Sequence, residues 1–211
     1  MLKKGIILIA TGHPNYGNMA YNLALSIKSV EDIEVAVVHA GRSLEHLTPE
    51  QKQIFDHKID LPTDYSTGFN TKIHLDQLTP FDRTLCLDVD MLWLGKNPSE
   101  LFTELEGCKF SIITEGDSDN ENKKYYFWAN PDEIKTAYKV SKIYQTRSEV
   151  IYFEKGTEVF AKARELEPEK KLNSIRRFGE WIPDELYFNI SMALLGIDPH
   201  KSRWMPAYWA R

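Results

Sequence analysis

Short apolar runs recur along the chain and predict the strands of a sheet. They are four to eight residues long and cover residues 5–10, 33–38, 84–87, 110–114 and 149–156. Runs of this length between turn residues are typical of strands that are buried on both faces. We therefore expect them to form the interior of the sheet.

Between these runs, apolar residues recur at helical spacing. Met19, Leu23 and Ile27 stand at i, i+4 and i+8, with Ala20 and Ala24 beside them, and predict one face of a helix. Further helices are expected at residues 49–55, 71–78 and 98–105, after the last strand through 166, and from 184 onward. Thr48 is the expected N-cap of the helix at 49–55. Leu186, Ile190 and Leu194 should face the core in the last helix. Strands that alternate with helices predict an α/β fold, with a mainly parallel sheet flanked by helices on both faces.

Composition narrows the class of protein. The 211 residues are 42% hydrophobic, which suits one globular domain covering 1–211. The net charge of -5 gives no basic field for nucleic acid or a membrane surface. The apolar stretch 6–10 is too short for a signal peptide or a membrane span. Cys86 and Cys108 are expected to be free thiols, as in a cytoplasmic protein.

The segment TLCLDVDMLW, residues 84–93, carries the clearest chemical signal. Asp88 and Asp90 follow an apolar strand, and Val89 between them points to the other side, so both carboxylates can reach one ion. Carboxylate oxygens with water and a diphosphate suit Mg²⁺ or Mn²⁺. The pair also stands at the carboxyl end of a strand, where ligands bind in such sheets. Two enzyme classes fit: nucleotide-sugar transferases, and haloacid dehalogenase-type phosphohydrolases with Asp88 as nucleophile.

The first strand is followed by the loop ATGHPNYGNMA, residues 10–20, where a phosphate-binding loop could lie. Gly12 and Gly17 have the spacing of a Walker A motif, but Asn18 and Met19 stand where Lys and Ser or Thr are needed. A P-loop enzyme is therefore excluded. The loop still offers Tyr16, an aromatic side chain that could stack on a base.

Three segments, in family order, resemble glycosyltransferases of the GT-A fold, and most closely glycosyltransferase family 8, which includes glycogenin and the lipopolysaccharide galactosyltransferases. The segments are IATGHPNYGNMAYNLALSIKS (9–29), NTKIHLDQLTPFDRTLCLDVDMLWLGKNPSELF (70–102) and WIPDELYFN (181–189). The resemblance implies a metal-dependent, retaining transferase that moves a sugar from a nucleotide-diphosphate donor, UDP-linked, to an acceptor hydroxyl. It implies Mn²⁺ or Mg²⁺ as the cofactor.

The resemblance also assigns the residues that bind the donor. Thr11 and Tyr16 match the positions that hold uridine, with Tyr16 stacked on uracil. Lys72 matches the lysine that contacts the diphosphate. Simpler interpretations stay open, because Tyr16 could pack against the first helix and Lys72 could be a surface lysine.

The same resemblance assigns the metal and catalytic residues. Asp88 and Asp90 match the metal-binding pair, and Asp88 also matches a contact to the ribose. Asp184 matches the acidic residue on the reacting face of the sugar, and together with Lys72 it is the expected catalytic residue. Two alternatives stay open. Asp88 and Asp90 could form a structural acidic turn, and the carboxylate of Asp184 could stabilise the N-terminus of a helix.

The chain also departs from the family pattern. The family's third metal ligand, a histidine in an H-x-x-G-x-x-K-P-W segment, has no counterpart in GIDPHKSRWMPAYWAR at residues 196–211. Residue 185 is Glu where Gln is usual, and TRSEV stands at 146–150 where the family often has NSG. The chain is thus either a shortened transferase core or a catalytically weakened sugar-nucleotide-binding or structural protein. The charged segment 115–128 is expected to be a loop, or a flap over the substrate.

Overall fold

The computed structural model describes residues 2–65, 69–117, 128–177, 179–200 and 209–210. Within these ranges the main sheet has six strands in the order β3-β2-β1-β4-β7-β6. The strands are β1 (Lys4–Ala10), β2 (Val35–His39), β3 (His57–Asp60), β4 (Arg83–Leu87), β6 (Phe110–Asp117) and β7 (Tyr144–Glu154), and a separate pair joins β5 (Leu92–Trp93) to β8 (Trp209–Ala210).

The sheet is mainly parallel on one side and antiparallel on the other. β1 pairs in parallel with both β2 and β4, and β2 pairs in parallel with β3. β7 runs antiparallel to β4 and β6. The predicted α/β architecture is confirmed, and β7 and β6 extend it with an antiparallel edge.

Helices cover both faces of this sheet. They are α1 (Asn15–Lys28), α2 (Pro49–Lys52), α3 (Leu75–Leu78), α4 (Pro98–Glu104), α5 (Pro131–Tyr138), α6 (Val159–Arg164) and α7 (Asp184–Leu195). Because side chains alternate along a strand, Ile6 packs in one apolar cluster with Leu23 of α1, whereas Ile7 packs in another with Phe188 of α7. These two clusters cover the two faces of the sheet, and a third apolar cluster packs α5 against α7.

Helix α1 follows the predicted stripe except at its first member. Leu23, Ile27 and the two alanines are buried, but Met19 is exposed, because the stripe continues through Gly17 instead. A Cβ on Gly17 would lie 1.9 Å from the carbonyl oxygen of Ser43. Only glycine lets the helix approach the loop after β2 this closely.

Several predicted elements have different bounds or a different type. The helix expected at 71–78 is a 3₁₀-helix (Phe69–His74) followed by α3, and the sequence pattern did not reveal β3 or α5. The expected loop at 115–128 is wrong at its start, because β6 continues to Asp117, whereas residues 118–127 lie outside the described ranges. Thr48 does cap α2 and forms a full capping box with Gln51.

Two further expectations concern the environment of the protein. Both Cys86 and Cys108 are free thiols, as predicted. Among the described residues, no helix combines the length and the apolarity needed to cross a bilayer.

Candidate functional site

The carboxyl ends of β1 and β4 bring the first loop and the paired aspartates to one edge of the sheet. Leu8 of β1 pairs with Leu87 of β4 in parallel register. Asp88 comes directly after this pair, and Thr11 and Asp90 each stand three residues beyond it. The register therefore sets Thr11 and the two aspartates at the same edge, where ligands bind in open α/β sheets.

Lys72 lies inside this edge and joins two of the predicted site residues. Its Nζ is 2.6 Å from Oδ1 of Asp88 and 3.8 Å from Oδ2 of Asp184. Only 7% of Lys72 is exposed, so the surface-lysine alternative is wrong. Burial alone lowers the pKa of this ammonium, but the carboxylates of Asp88 and Asp184 outweigh burial and raise the pKa above its ordinary value. Lys72 therefore carries a fixed positive charge.

Asp184 is the first residue of α7 and is almost fully buried. It is 1% exposed, although the sequence pattern set it off the apolar stripe of the helix. In the described part of the chain its Oδ2 accepts no hydrogen bond. Burial raises the pKa of this carboxyl, and the positive charge of Lys72 opposes the rise. A buried, incompletely bonded carboxylate is typical of a functional site.

The stripe of α7 itself differs from the prediction at one position. Leu186 and Ile190 are buried as expected, whereas Leu194 is 40% exposed. In the last turn of α7, Ala193 and Leu195 pack against the core, whereas Leu194 between them faces solvent.

The sequence did not predict two residues of this cluster, Ser148 and Glu185, as site residues. Ser148 of β7 accepts hydrogen bonds from Lys72 Nζ through its carbonyl oxygen, at 2.9 Å, and through its hydroxyl, at 3.0 Å. The backbone N–H of Ser148 donates to Oε1 of Glu185, at 3.4 Å. Both residues lie where the chain departs from the family pattern, which was the signal available in the sequence.

Glu185 adds a third carboxyl group to the site. Burial, and then the negative charge of Asp184, raise the pKa of Glu185 to about 7. The cluster thus has one ammonium, on Lys72, and three carboxyl groups, on Asp88, Asp184 and Glu185. One positive charge cannot balance three neighbouring carboxylates, of which Asp184 is buried and Asp88 and Glu185 are half-buried. A proton is therefore retained on the Asp184–Glu185 pair near neutral pH.

A cysteine also lies beneath the cluster. Cys86 is buried in β4 next to Lys72, and burial raises the pKa of its thiol to about 12. The thiol is therefore neutral and is a poor nucleophile. Cys86 belongs to the core of the sheet.

The first loop presents Tyr16 at the N-terminus of α1. Gly12 turns the chain with a φ of 91°, a conformation that favours glycine, and the ring of Tyr16 is 39% exposed. Its nearest described aromatic neighbour is His13, edge-on at 6.0 Å between ring centroids. Tyr16 does not belong to the buried core beneath α1, so part of its side chain is available to a ligand.

The paired aspartates suit a divalent cation only in part. Asp88 uses Oδ1 for Lys72, which leaves Oδ2 for an ion, and Asp90 is exposed in the turn that follows β4. Across the described ranges, no group of three or more His, Cys, Asp or Glu side chains could hold a metal ion. Mg²⁺, however, is commonly bound by one or two carboxylates together with substrate phosphates. The donor set therefore fits a cation that arrives with a phosphate ligand.

Sequence comparisons find no protein-family model and no curated protein that matches the chain. Comparison of the structures does find matches. The galactosyltransferase LgtC in complex with donor and acceptor sugar analogs has a TM-score of 0.63 at 15% identity, over 94% of this chain and 74% of that one. Mouse xyloside xylosyltransferase 1, in its apo form, has a TM-score of 0.56 at 11% identity, over 95% of this chain and 85% of that one.

The bifunctional glycosyltransferase WbbM, also in its apo form, has a TM-score of 0.61 at 11% identity. This match covers 94% of the present chain but only 39% of that protein. The chain therefore has the GT-A fold, as the family 8 resemblance implied. Identities this low establish the fold alone, so the chemistry has to be argued from the site.

Proposed function

We propose that this protein is a metal-dependent, retaining glycosyltransferase. It moves a sugar from a nucleotide-diphosphate donor, with UDP as the nucleotide, to the hydroxyl group of an acceptor. The proposal includes a single transferase domain over residues 1–211 and a cytoplasmic location, which fits the two free cysteines.

One observation carries the proposal. Lys72, Asp88 and Asp184 come from a 3₁₀-helix, a strand end and a helix start that are distant in sequence. They nevertheless form one ionic cluster, in which Lys72 and Asp184 are buried and Asp88 is half-buried. Buried charges contribute little net stability, so a cluster of this kind at a ligand-binding edge favours a catalytic role. The GT-A fold supports sugar transfer as that role.

The cluster suits the two charges that develop when a glycosidic phosphate bond breaks. Lys72 would neutralise the negative charge that grows on the departing diphosphate. Asp184 would hold sugar hydroxyls and stabilise the positive charge at the anomeric carbon. Both groups are held by the fold before the substrate arrives, which is the condition for effective electrostatic stabilisation.

Asp88 and Asp90 would hold Mn²⁺ or Mg²⁺ together with the donor phosphates, and the cation would supply a further positive charge beside the leaving group. We expect Asp90→Asn to abolish metal-dependent binding of UDP while the protein stays folded, because Asp90 is an exposed turn residue. Calorimetry with UDP, with and without Mn²⁺, measures this. Unchanged metal dependence in the variant would contradict the assignment.

The nucleoside would be bound by the first loop. Tyr16, whose side chain is partly exposed, would stack on uracil. Thr11, which is buried directly after β1, would contact the uridine from beneath. Aromatic side chains bind bases by stacking without needing a specific hydrogen-bond pattern.

A binding protein without turnover is the second candidate. It is favoured by one observation, namely that the described ranges offer two aspartates but no third metal ligand at the site. Such a protein would bind a nucleotide sugar but would neither transfer the sugar to an acceptor nor hydrolyse the donor. The fold gives no support to the third candidate, a phosphohydrolase with Asp88 as nucleophile.

One experiment separates these candidates. Nucleotide sugars are first screened by thermal shift with and without Mn²⁺, since a ligand that binds the folded state raises the melting temperature. Sugar transfer and slow donor hydrolysis are then measured for the parent protein and for Asp184→Asn. A transferase binds the donor and loses most turnover in this variant, a binding protein shows no turnover at all, and a phosphohydrolase loses activity only in Asp88→Asn. Parent-level transfer by Asp184→Asn would refute the proposed site.

A further inference from the structure

Strand β7 contains a bulge where it passes the end of β4. Ile112 of β6 pairs with Ile151, but the next residue, Ile113, pairs with Arg147, so three residues of β7 have no partner on β6. On its other side β7 stays paired with β4 as far as Leu87. Bulges commonly re-aim side chains beside active sites. Here the bulge comprises residues 148–150, and Ser148 lies at its start.

The bulge keeps Ser148 next to the paired aspartates. The backbone N–H of Asp88 donates to the carbonyl oxygen of Glu149 at 2.9 Å, which ties the bulge to the first residue after β4. Ser148 is itself buried, with 5% of its surface exposed. Its position is therefore fixed by backbone contacts as well as by its own side chain.

Ser148 holds two of the three hydrogens of the Lys72 ammonium. Nζ donates to the carbonyl oxygen and to the hydroxyl oxygen of Ser148, and the third partner is Asp88. An ammonium has three hydrogens, so this set satisfies it completely. The direction of the Lys72 side chain is thus determined by Ser148 as much as by its ion pair.

The hydroxyl hydrogen of Ser148 is left to bond another acceptor. Because Lys72 can only donate, the hydroxyl accepts from it and keeps its own hydrogen to donate. A hydrogen bond from Ser148 to Asp184 lowers the pKa of that carboxyl, against the effect of burial. The backbone N–H of the same residue donates to Glu185. Ser148 thus hydrogen-bonds both to the ammonium of Lys72 and to Glu185 at the start of α7.

We infer that Ser148 is a positioning residue of this site, which holds the Lys72 ammonium between Asp88 and Asp184. The inference rests on the proposed function for its catalytic consequence, because the positive charge of Lys72 is then held at a fixed place from which it acts on the departing diphosphate. Without the Ser148 hydroxyl, Lys72 keeps its charge but loses one of the contacts that fix its direction. The donor is still bound, and its leaving group is stabilised less well.

The chain offers matched variants for the test. Ser148→Ala removes the hydroxyl and keeps the carbonyl group, whereas Ser148→Thr keeps both. Thr146, two residues earlier on β7, donates from its hydroxyl to Oδ1 of Asn189 in α7 at 2.6 Å. Thr146→Val therefore removes a buried hydrogen bond between the same two elements without touching Lys72, and it controls for a general loosening of β7 against α7.

The kinetic measurement is sugar transfer with a nucleotide-sugar donor. We expect kcat of Ser148→Ala to fall about 10- to 100-fold, the range for a lost hydrogen bond to a charged group, with donor KM changed less than about threefold. Ser148→Thr should recover most of kcat, and Thr146→Val should keep it. Equal losses in Ser148→Ala and Thr146→Val, or no recovery with threonine, would overturn the inference.

A second measurement does not depend on turnover. In ¹⁵N-lysine-labelled protein, an ammonium with three fixed partners gives a slowly exchanging NMR signal, which is assigned to Lys72 by its loss in Lys72→Met. The signal should disappear in Ser148→Ala and return in Ser148→Thr, and an unchanged signal in Ser148→Ala would overturn the inference. If the parent protein transfers no sugar but shows this pattern, the proposed function fails while the positioning role of Ser148 stands.

Discussion

Replacing Glu185 with Gln should make the protein more stable at neutral and alkaline pH. The carboxyl group is held by burial and by the charge of Asp184 at a pKa of about 7, against an ordinary value of 4.5. Below the ordinary value the group is protonated in both the folded and the unfolded protein, so it has no effect there. As the pH rises from 4.5 to 7, the unfolded chain loses the proton first, and the folded state is progressively destabilised.

The size of this effect follows from the two pKa values. The difference between 4.5 and about 7 corresponds to about 3 kcal/mol of unfolding free energy. Because water still reaches part of the Glu185 side chain, we expect about 2 kcal/mol. Glutamine keeps the acceptor for the Ser148 N–H and has no charge at any pH, so it removes this penalty.

The assay is urea unfolding of the parent and of Glu185→Gln at a series of pH values from 4.5 to 8.5. The difference in unfolding free energy between the two should grow by about 2 kcal/mol across this range, in favour of the variant. Glu180→Gln, an exposed change four residues from the site, should give a constant difference. A flat difference for Glu185→Gln would mean that Glu185 ionises as it does in water, and the charge balance drawn for the cluster would be wrong.

Variants at three other positions, Lys72, Tyr16 and Gly17, probe the site and the helix beside it. Lys72→Met should lower the unfolding free energy, measured in urea, by about 3–5 kcal/mol, because it leaves the carboxylates of Asp88 and Asp184 unpaired. Its turnover should fall more than its affinity for the donor. A loss of affinity alone would make Lys72 a plain binding residue. Tyr16→Ala should weaken UDP binding by about tenfold or more in calorimetry while Tyr16→Phe is tolerated, and equal losses in both would point to the hydroxyl. Gly17→Ala should lower the melting temperature despite the better helix propensity of alanine, because the new Cβ would meet the Ser43 carbonyl at 1.9 Å; an unchanged melting temperature would contradict this close packing.

Local patterns predicted the parts of the fold that depend on local rules. The apolar runs identified β1, β2, β4, β6 and β7 because buried strands need apolar side chains on both faces. Thr48 and Pro49 marked the start of α2, since capping uses neighbours in sequence. Errors arose at Met19 and Leu194, which fit a helical stripe but face solvent. Their burial depends on what lies opposite, which the pattern of one helix does not contain.

The candidate site shows the same division. The sequence by itself determined that Asp88 and Asp90 follow a strand end, and its resemblance to family 8 singled out Lys72 and Asp184. That Lys72 lies 2.6 Å from Asp88, and that Ser148 holds it there, depends on the β7 bulge and on the docking of α7. Strand ends, caps and turns arise from residues adjacent in the chain, so the sequence specifies them directly. The ionic cluster joins residues up to 113 positions apart, from Lys72 to Glu185. Only the packing of the whole sheet decides which charges meet, how deeply they are buried and which of them keeps a proton.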